Sequence, residues 1–256
     1  MTRLICCTSA KGGVGKTTLV SNLAAALTDF GENTIAVDAN LTTPNLGLHT
    51  GMHLAPRTLH DVLRGYYPVR YAIYPHPYGF KIIPASLKLS DIAYVDPGRL
   101  PEITFSLLGQ AHYILLDSAA GLGREALSAL SSADEVLLIT NPNLPAVTDA
   151  LKVLKIAENT HIKTIGVVVN RVKGSEYELS KEETEEILNV PVIAQIPEDP
   201  NVERCIQQKK LLFELCPNSP AAIEIKKLAA YLTKRKYEPP KVKESVFSRL
   251  FKIFKS

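Results

Sequence analysis

The chain has 256 residues, of which 46% are hydrophobic and 21% are charged. This balance is typical of a globular protein and excludes a disordered or collagen-like chain. The length suits one sizeable α/β domain, and no apolar run reaches the about 18 residues that a membrane span needs. The net charge of +3 is uneven, because residues 233–256 contain eight basic and two acidic residues, which leaves residues 1–232 at −3. We therefore expect an anionic partner at the C-terminus and no broad nucleic-acid surface on the body.

The cysteines are not spaced as metal ligands. The chain contains no CxxC sequence and no histidine at zinc-site spacing from a cysteine. The N-terminus also lacks the longer apolar core of a secretory signal. We therefore predict free thiols in a reducing, cytoplasmic compartment. The cysteines concerned are Cys6, Cys7, Cys205 and Cys216.

Short apolar runs alternate with helical patterns along most of the chain. The runs predicted to be strands are 4–8, 34–37, 80–83, 113–116, 135–140, 164–169 and 192–196. The patterns predicted to be helices are 16–30, 123–131, 144–159, 181–188 and 221–234. Several strands are apolar at consecutive positions, as expected for parallel strands covered on both faces. The sequence predicts an α/β fold with a doubly wound, mostly parallel sheet and helices on both faces.

Changes in composition along the chain indicate where its domain ends and a linker begins. Residues 66–78 are rich in tyrosine and proline and are predicted to form an irregular surface segment. Residues 236–244 contain two prolines and few apolar groups, which is typical of a linker. We therefore expect a domain at 1–235, a linker at 236–244 and a short amphipathic helix at 245–256.

The sequence SAKGGVGKTT, residues 9–18, follows the first predicted strand and opens the first long helix. Its glycines let backbone N–H groups surround a phosphate, while Lys16 bridges the β- and γ-phosphates and the Thr17 hydroxyl ligates Mg²⁺. Ala10 stands where the strict motif has glycine, and alanine suffices if its φ is negative. We therefore predict a phosphate loop that binds nucleotide through Lys11, Gly12, Gly13, Val14, Gly15, Lys16, Thr17 and Thr18.

A second lysine, Lys11 in KGGVGKTT, resembles the deviant Walker A loop of the MinD/ParA ATPase family. The resemblance covers nearly the whole chain and is strongest to the MinD branch. Residues 37–52 look like the first switch region, 114–123 like the Walker B strand and second switch, 167–172 like the adenine-side strand, and 196–206 like the loop over the base. The resemblance implies a homodimer around ATP, in which Lys11 contacts phosphate across the interface. It also implies a membrane-associated ATPase that helps to place cell-division or other machinery.

A predicted buried strand ends in Asp117. A carboxylate at this place holds Mg²⁺, and the small residues that follow are free to move with the γ-phosphate. A strand-end aspartate is also a common turn residue, but the phosphate loop favours the functional interpretation. We therefore predict that Thr17 and Asp117 hold the magnesium ion.

The base is expected to be adenine. Residues 170–173, Asn-Arg-Val-Lys, lack the carboxylate with which related G-proteins bind guanine. The family resemblance implies that the Asn170 amide reads adenine and that Arg171 covers the ring. It implies weaker contacts from Pro197 and Asp199. The alternative is a strand end with a solvated arginine.

The first switch departs from the family pattern. The family has Asp-x-Asp, in which the second aspartate positions the attacking water, whereas this chain has Asp38, Ala39 and Asn40. An amide cannot take the proton of water, and losing a general base costs ~10²–10⁴ in rate. Phosphoryl transfer nevertheless depends mainly on positioning and electrostatics. We predict slow hydrolysis that relies on Lys11, Lys16, Asp38 and Asn40, and abolished hydrolysis remains the alternative.

A second departure follows the predicted Walker B strand. The family commonly has proline after it, whereas this chain has Ala119. We expect this replacement only to loosen the second switch.

The C-terminal sequence SVFSRLFKIFKS, residues 245–256, has a helical amphipathic pattern. Its apolar residues fall within an arc of about 160° and its basic residues fill the rest. This pattern is typical of a helix that lies among lipid headgroups. A helix docked on the body or bound in a partner's groove is the alternative. The predicted membrane contacts are Phe247, Leu250, Phe251, Phe254, Arg249 and Lys252.

Three other functions are compatible with parts of the pattern. One is an ATP-gated membrane scaffold with little or no hydrolysis. A ParA-type partition ATPase would need a basic body, and an iron–sulfur P-loop protein would need bridging cysteines. The expected partners are a second copy of the chain, the anionic inner face of the cell membrane and an unidentified regulatory or cargo protein. Specific nucleic-acid binding is not expected.

Overall fold

Within residues 1–92 and 94–240, which the computed structural model describes, eight strands form one sheet in the order β3-β4-β2-β5-β1-β6-β7-β8. Neighbouring strands are parallel except for the antiparallel pair β3–β4. The central strand β1 therefore lies between β5 and β6. The strands are β1 Arg3–Ser9, β2 Thr34–Ala39, β3 Tyr74–Pro75, β4 Lys81–Ile83, β5 Tyr113–Ala120, β6 Glu135–Thr140, β7 Lys163–Val172 and β8 Val192–Pro197.

Helices connect these strands and cover the sheet on both faces. A connection between parallel strands has to run back over one face of the sheet before the next strand begins. The α-helices of the described part are α1 Lys16–Asp29, α2 Leu46–His49, α3 Leu59–Leu63, α4 Leu89–Ile92, α5 Leu100–Phe105, α6 Arg124–Ser131, α7 Leu144–Asn159, α8 Lys181–Leu188, α9 Pro200–Gln207, α10 Leu212–Leu215 and α11 Pro220–Thr233.

The strands are apolar at consecutive positions because both of their faces are buried. In β1, Ile5 and Cys7 pack in one core with helices α1, α10 and α11. The alternate residues Leu4 and Cys6 pack in a second core with α3, α5 and α6. Helices α7 and α8 cover β6 and β7 near the other edge of the sheet. This three-layer arrangement confirms the predicted doubly wound α/β fold.

The structure also differs in detail from the predicted elements. Strand β5 runs to Ala120, four residues beyond its predicted end, because it continues to pair with β1 and β2. The segment 66–78 is not wholly irregular, since it contains a 3₁₀ turn at Val69–Ala72 and strand β3. The short helices α2, α3, α4, α5, α9 and α10 were not predicted.

The end of the described chain packs against the end of α1. The Tyr237 ring meets the Phe30 ring edge-to-face at 6.3 Å between centroids, and Arg235 Nη2 pairs with Glu32 at 3.4 Å. The second residue of the predicted linker at 236–244, Tyr237, thus contacts the body. None of the described helices is both long and apolar enough to cross a bilayer.

Candidate nucleotide-binding site

The phosphate loop joins β1 to α1. Gly13 and Gly15 have φ values of +76° and +95°, a region that favours glycine. A Cβ atom at Gly15 would also lie 2.2 Å from Asn170 Nδ2, so this position requires glycine for space as well. Ala10 has no positive φ, which meets the condition set for alanine at that place.

The Lys16 side chain folds back into the loop. It is 8% exposed, and its Nζ donates to Ser9 Oγ at 2.7 Å. Ser9 Oγ in turn donates to the carbonyl oxygen of Lys11 at 2.7 Å. Desolvation lowers the pKa of Lys16, and the nearby Asp117 carboxylate opposes that effect. The loop thus holds a buried ammonium at the start of α1, an arrangement that suits a phosphate.

Two buried carboxylates lie toward the carboxyl ends of β2 and β5, where Asp38 is opposite Asp117 and Asp117 is close to Lys16. Asp117 is 1% exposed, and neither of its oxygens accepts a hydrogen bond of ordinary geometry from the described residues. Burial raises the pKa of Asp117 to about 6, against the opposing effects of the Thr17 hydroxyl and the Lys16 ammonium. Burial and the neighbouring Asp117 carboxylate raise the pKa of Asp38. Asp38 Oδ2 accepts from the Leu46 amide at 3.0 Å, but its Oδ1 has no partner among the described residues.

Unpartnered buried carboxylate oxygens beside a hydroxyl are suitable ligands for a hard cation. Thr17 and Asp117 therefore fit Mg²⁺, and Asp38 has a second oxygen close to Asp117 that is unpartnered among the described residues. The described residues contain no cluster of three or more His, Cys, Asp or Glu side chains arranged for a metal. Mg²⁺ sites of this sparse kind are completed by phosphate oxygens and water.

A cavity of about 300 Å³ opens above the loop. His49 is among its lining residues, and burial lowers the pKa of this histidine to about 4, so its imidazole is neutral at pH 7. Several wall residues come from the β2–α2 connection, α2, β5 and α9. They lie in the segments that resemble the two switches and the loop over the base, but they were not predicted individually. The lining residues outside the predicted set are Thr43, Asn45, His49, Ala120 and Ile206.

Asn40 lies in the wall of this cavity. Its Nδ2 donates to the Thr43 carbonyl at 2.7 Å, and Thr43 Oγ1 donates to Asn40 Oδ1 at 3.1 Å. The structure therefore brings Asn40 to the phosphate cavity, with both groups of its amide held by the same neighbour.

A second cleft adjoins the loop on the side of β7 and β8. Gly15, Asn170, Arg171 and Pro197 are among its lining residues. Arg171 has a φ of +60° and lines this cleft and the phosphate cavity together. The structure thus brings the predicted base-contacting residues to one place next to the phosphate loop.

Two predicted base contacts are engaged within the protein. Asn170 Nδ2 donates to the Val14 carbonyl at 2.7 Å, which leaves Nδ2 one further hydrogen for another acceptor. Asp199 caps α9 by accepting from the Asn201 amide at 2.9 Å, and it also accepts from the Ala221 amide at 3.2 Å. Asp199 therefore has a structural function whether or not it contacts a base.

Lys11 points away from its own loop. Its Nζ lies 3.2 Å from Asp149 Oδ2 on α7, and both side chains are partly exposed. Asp149 also pairs with Lys152 at 2.9 Å. The predicted membrane contacts at 247–254 lie outside the described residues.

The chain is similar to known nucleotide-binding proteins over most of its length. A family model described as the CobQ/CobB/MinD/ParA nucleotide binding domain matches residues 5–213. An uncharacterised ATP-binding protein of Methanocaldococcus jannaschii is 39% identical over 246 residues, which are 95% of this chain and 93% of that protein. The septum site-determining protein MinD of Thermotoga maritima is 32% identical over 212 residues, 79% of this chain and 78% of that protein.

A solved structure is also similar. It is the septum site-determining protein MinD complexed with Mg-ADP from Pyrococcus horikoshii, with a TM-score of 0.89 and 36% sequence identity. The match covers 91% of this chain and 97% of that one. The similarity therefore extends over the sheet, the phosphate loop and both clefts.

Proposed function

Because the chain belongs to the CobQ/CobB/MinD/ParA family of nucleotide-binding domains, we propose that it binds ATP with Mg²⁺ and hydrolyses it slowly. The phosphate loop supports this proposal most directly. It holds the buried Lys16 ammonium near Asp117, whose buried oxygens accept no hydrogen bond of ordinary geometry from the described residues. A lysine and a metal-binding carboxylate at the end of a glycine-rich loop suit a nucleoside triphosphate.

Each residue has a distinct function in this proposal. The loop amides and Lys16 bind the phosphates, while Thr17 and Asp117 hold the metal ion. Mg²⁺ neutralises charge on the phosphate oxygens when it is bound. Asn40 orients the attacking water through its amide, which is why we expect hydrolysis to be slow. Asn170 and Arg171 contact the adenine ring in the adjoining cleft.

The experiment compares ATP binding by the unmodified chain and Lys16→Ala. Binding measured by calorimetry with Mg²⁺ should be lost in Lys16→Ala, because backbone amides alone do not neutralise a triphosphate. Lys163→Ala, at an exposed position on β7, is the matched control and should bind normally. Unchanged affinity in Lys16→Ala would refute the proposed site.

A second candidate function is an ATP-gated scaffold that hardly hydrolyses its nucleotide. The observation that favours it is Asn40, which supplies an amide where a carboxylate would accept a proton, and whose amide is already paired with Thr43. Phosphate release measured with lipid vesicles separates the two functions. Turnover above the rate of Lys16→Ala supports the ATPase, and turnover equal to it supports the scaffold.

We further propose that ATP binding produces a homodimer on the inner face of the cell membrane. Lys11 contacts phosphate of the second copy, and the amphipathic segment 245–256 binds anionic lipid. Two copies of a weak anchor on one dimer bind with avidity, so ATP controls membrane residence. The ATPase domain then comprises residues 1–235, and the linker 236–244 joins it to the segment 245–256. The end of α11 at Thr233 supports this division.

Such an ATPase places cell-division or other machinery through a regulatory or cargo protein that binds the dimer. This part of the proposal rests on similarity to MinD proteins over most of the chain. It is tested by sedimentation with anionic vesicles in ATP and in ADP. Equal sedimentation in both nucleotides would refute the ATP-controlled location.

A further inference from the structure

Glu125 connects the two switch regions. It lies in the first turn of α6, directly after the second switch, whereas Thr42 lies in the connection between β2 and α2. The Thr42 amide donates to Glu125 Oε2 at 3.2 Å, and the Thr42 hydroxyl donates to Oε1. Both oxygens of this half-buried carboxylate are therefore used by one residue of the first switch.

The connection continues from Thr42 to Asn40 through the next residue. Thr43 pairs with both groups of the Asn40 amide. An asparagine amide has two hydrogens and two acceptor lone pairs. Each group of Asn40 therefore keeps one hydrogen-bonding position for a further partner such as water. Thr43 fixes the direction of that amide, and Glu125 holds the loop that contains Thr43.

The phosphate cavity and the space between the switches adjoin each other. Asn40, Thr43 and Ala120 line both the phosphate cavity and a groove of about 490 Å³ between the switches. Glu125 lines this groove and is the one carboxylate among the described residues that line either space. The Glu125–Thr42 contact therefore lies on the switch side of the phosphate cavity.

We propose that Glu125 is a positioning residue for ATP hydrolysis, which fixes the loop 40–45 so that Asn40 faces the γ-phosphate. This inference rests on the proposed hydrolysis. Glu125 does not touch nucleotide; it acts through Thr42 and Asn40. Because an amide contributes by orienting water, the rate depends on how firmly that amide is held. Binding of ATP depends on the phosphate loop and does not require the contact.

The test measures steady-state turnover of the full chain with Mg-ATP. Glu125→Ala should lower kcat by about tenfold or more, because a misplaced orienting group costs rate steeply, and should leave KM within about twofold. Thr42→Ser keeps both hydrogen bonds and should retain activity, whereas Thr42→Ala loses the hydroxyl bond and should be intermediate. The double variant Glu125→Ala/Thr42→Ala should be no slower than Glu125→Ala, since both changes break one contact.

Glu102→Ala, at an exposed position on α5, is the matched control and should leave turnover unchanged. Turnover that is insensitive to Glu125→Ala, or additive losses in the double variant, would overturn the positioning function alone. Absence of turnover in the unmodified chain would instead overturn the proposed hydrolysis.

Hydrogen exchange tests the contact without turnover. The Thr42 amide donates to Glu125, so its exchange in the Mg-ADP-bound chain should be faster by about tenfold or more in Glu125→Ala, as expected for a lost protecting bond. The same exchange should be unaffected in Glu102→Ala. Equal Thr42 exchange in Glu125→Ala and the unmodified chain would overturn the inference.

Discussion

At the scale of single residues, Asp117 destabilises the metal-free protein at neutral pH. Its carboxylate is buried without a hydrogen bond of ordinary geometry from the described residues, and burial raises its pKa to about 6. In the unfolded chain the carboxyl has its ordinary, lower pKa. Above pH 6 the folded state therefore contains a poorly solvated charge. As the pH falls below 6, the folded state takes up a proton before the unfolded state does, and this cost is relieved.

Asp117→Asn removes the charge and should increase the free energy of unfolding of the metal-free protein at pH 7 by about 3 kcal/mol, from a pKa difference of about two units. The measurement is urea unfolding at pH 7 and pH 4. The difference in the free energy of unfolding between the variant and the unmodified chain should be smaller at pH 4. The variant should also lose the stabilisation that Mg-ADP gives. An equal difference at both pH values would contradict the electrostatic explanation.

Asn40 lies in the wall of the phosphate cavity. Its amide cannot accept a proton as a carboxylate would. Asn40→Asp should raise turnover by about tenfold or more, because a carboxylate accepts the proton of the attacking water. Phosphate release with Mg-ATP is the measurement, with Asn40→Ala as the control that lacks either group. An unchanged or lower rate in Asn40→Asp would mean that another group positions the water or that a missing activator limits hydrolysis.

At the scale of elements, the β1–α1 junction could be predicted from the sequence. Its glycines, lysine and hydroxyl have a fixed spacing because each contacts a defined part of the triphosphate. Long helices such as α7 could also be predicted from the sequence, since their apolar residues recur with the helical period. The residue pattern of β5 showed the buried strand but not its continuation to Ala120, which depends on pairing with its neighbours.

Other parts of the site could not be predicted. Helix α2 has four residues, too few for an apolar period, yet it brings His49 to the phosphate cavity. The partners of Lys11 and Asn170 are distant or unmarked in sequence, namely Asp149 and the Val14 carbonyl. Contacts of this kind follow from the packing of whole elements, which a local pattern does not encode.

The loop glycines differ in what surrounds them, and this difference predicts unequal effects of alanine. Both need positive φ, but a Cβ atom at Gly13 meets open space, whereas one at Gly15 meets Asn170. Gly13→Ala should cost about 1–2 kcal/mol of unfolding free energy from backbone strain. Gly15→Ala should cost more, because strain and overpacking add, and should also abolish ATP binding. Urea unfolding and calorimetry test both variants, and equal losses would contradict the account.

At the scale of the whole molecule, Lys11 is paired within its own chain. The ion pair with Asp149 is partly exposed, and solvent-exposed pairs of this kind contribute little to stability. Lys11→Ala should therefore leave monomer stability and ATP binding nearly unchanged but prevent the ATP-dependent dimer. Size-exclusion chromatography in ATP is the measurement, and Lys152→Ala, which contacts the same aspartate, is the control. Normal dimerisation of Lys11→Ala would contradict its function across the interface.

The segment 245–256 is expected to bind anionic membranes when the chain is bound to ATP. Sedimentation with anionic vesicles should require ATP, weaken with salt and be lost when the segment is deleted. Phe251→Glu should abolish it without affecting ATP binding, because a carboxylate in the apolar face is costly to desolvate and repels lipid headgroups. Phe251→Leu is the matched control and should sediment. Sedimentation of Phe251→Glu in ATP would assign the segment to a docked helix or a partner-binding peptide.

Helix α1 separates the phosphate loop from the place where the end of the described chain contacts the body. It starts at the phosphate loop and ends at Asp29, next to the Phe30–Tyr237 contact. Its 14 residues separate the two places by roughly 20 Å at the helical rise. Tyr237 therefore lies near the end of α1 that is remote from the phosphate loop, and the segment proposed to bind lipid begins eight residues later. On a membrane bound through that segment, we expect the switches to face away from the lipid and to stay accessible to a protein partner.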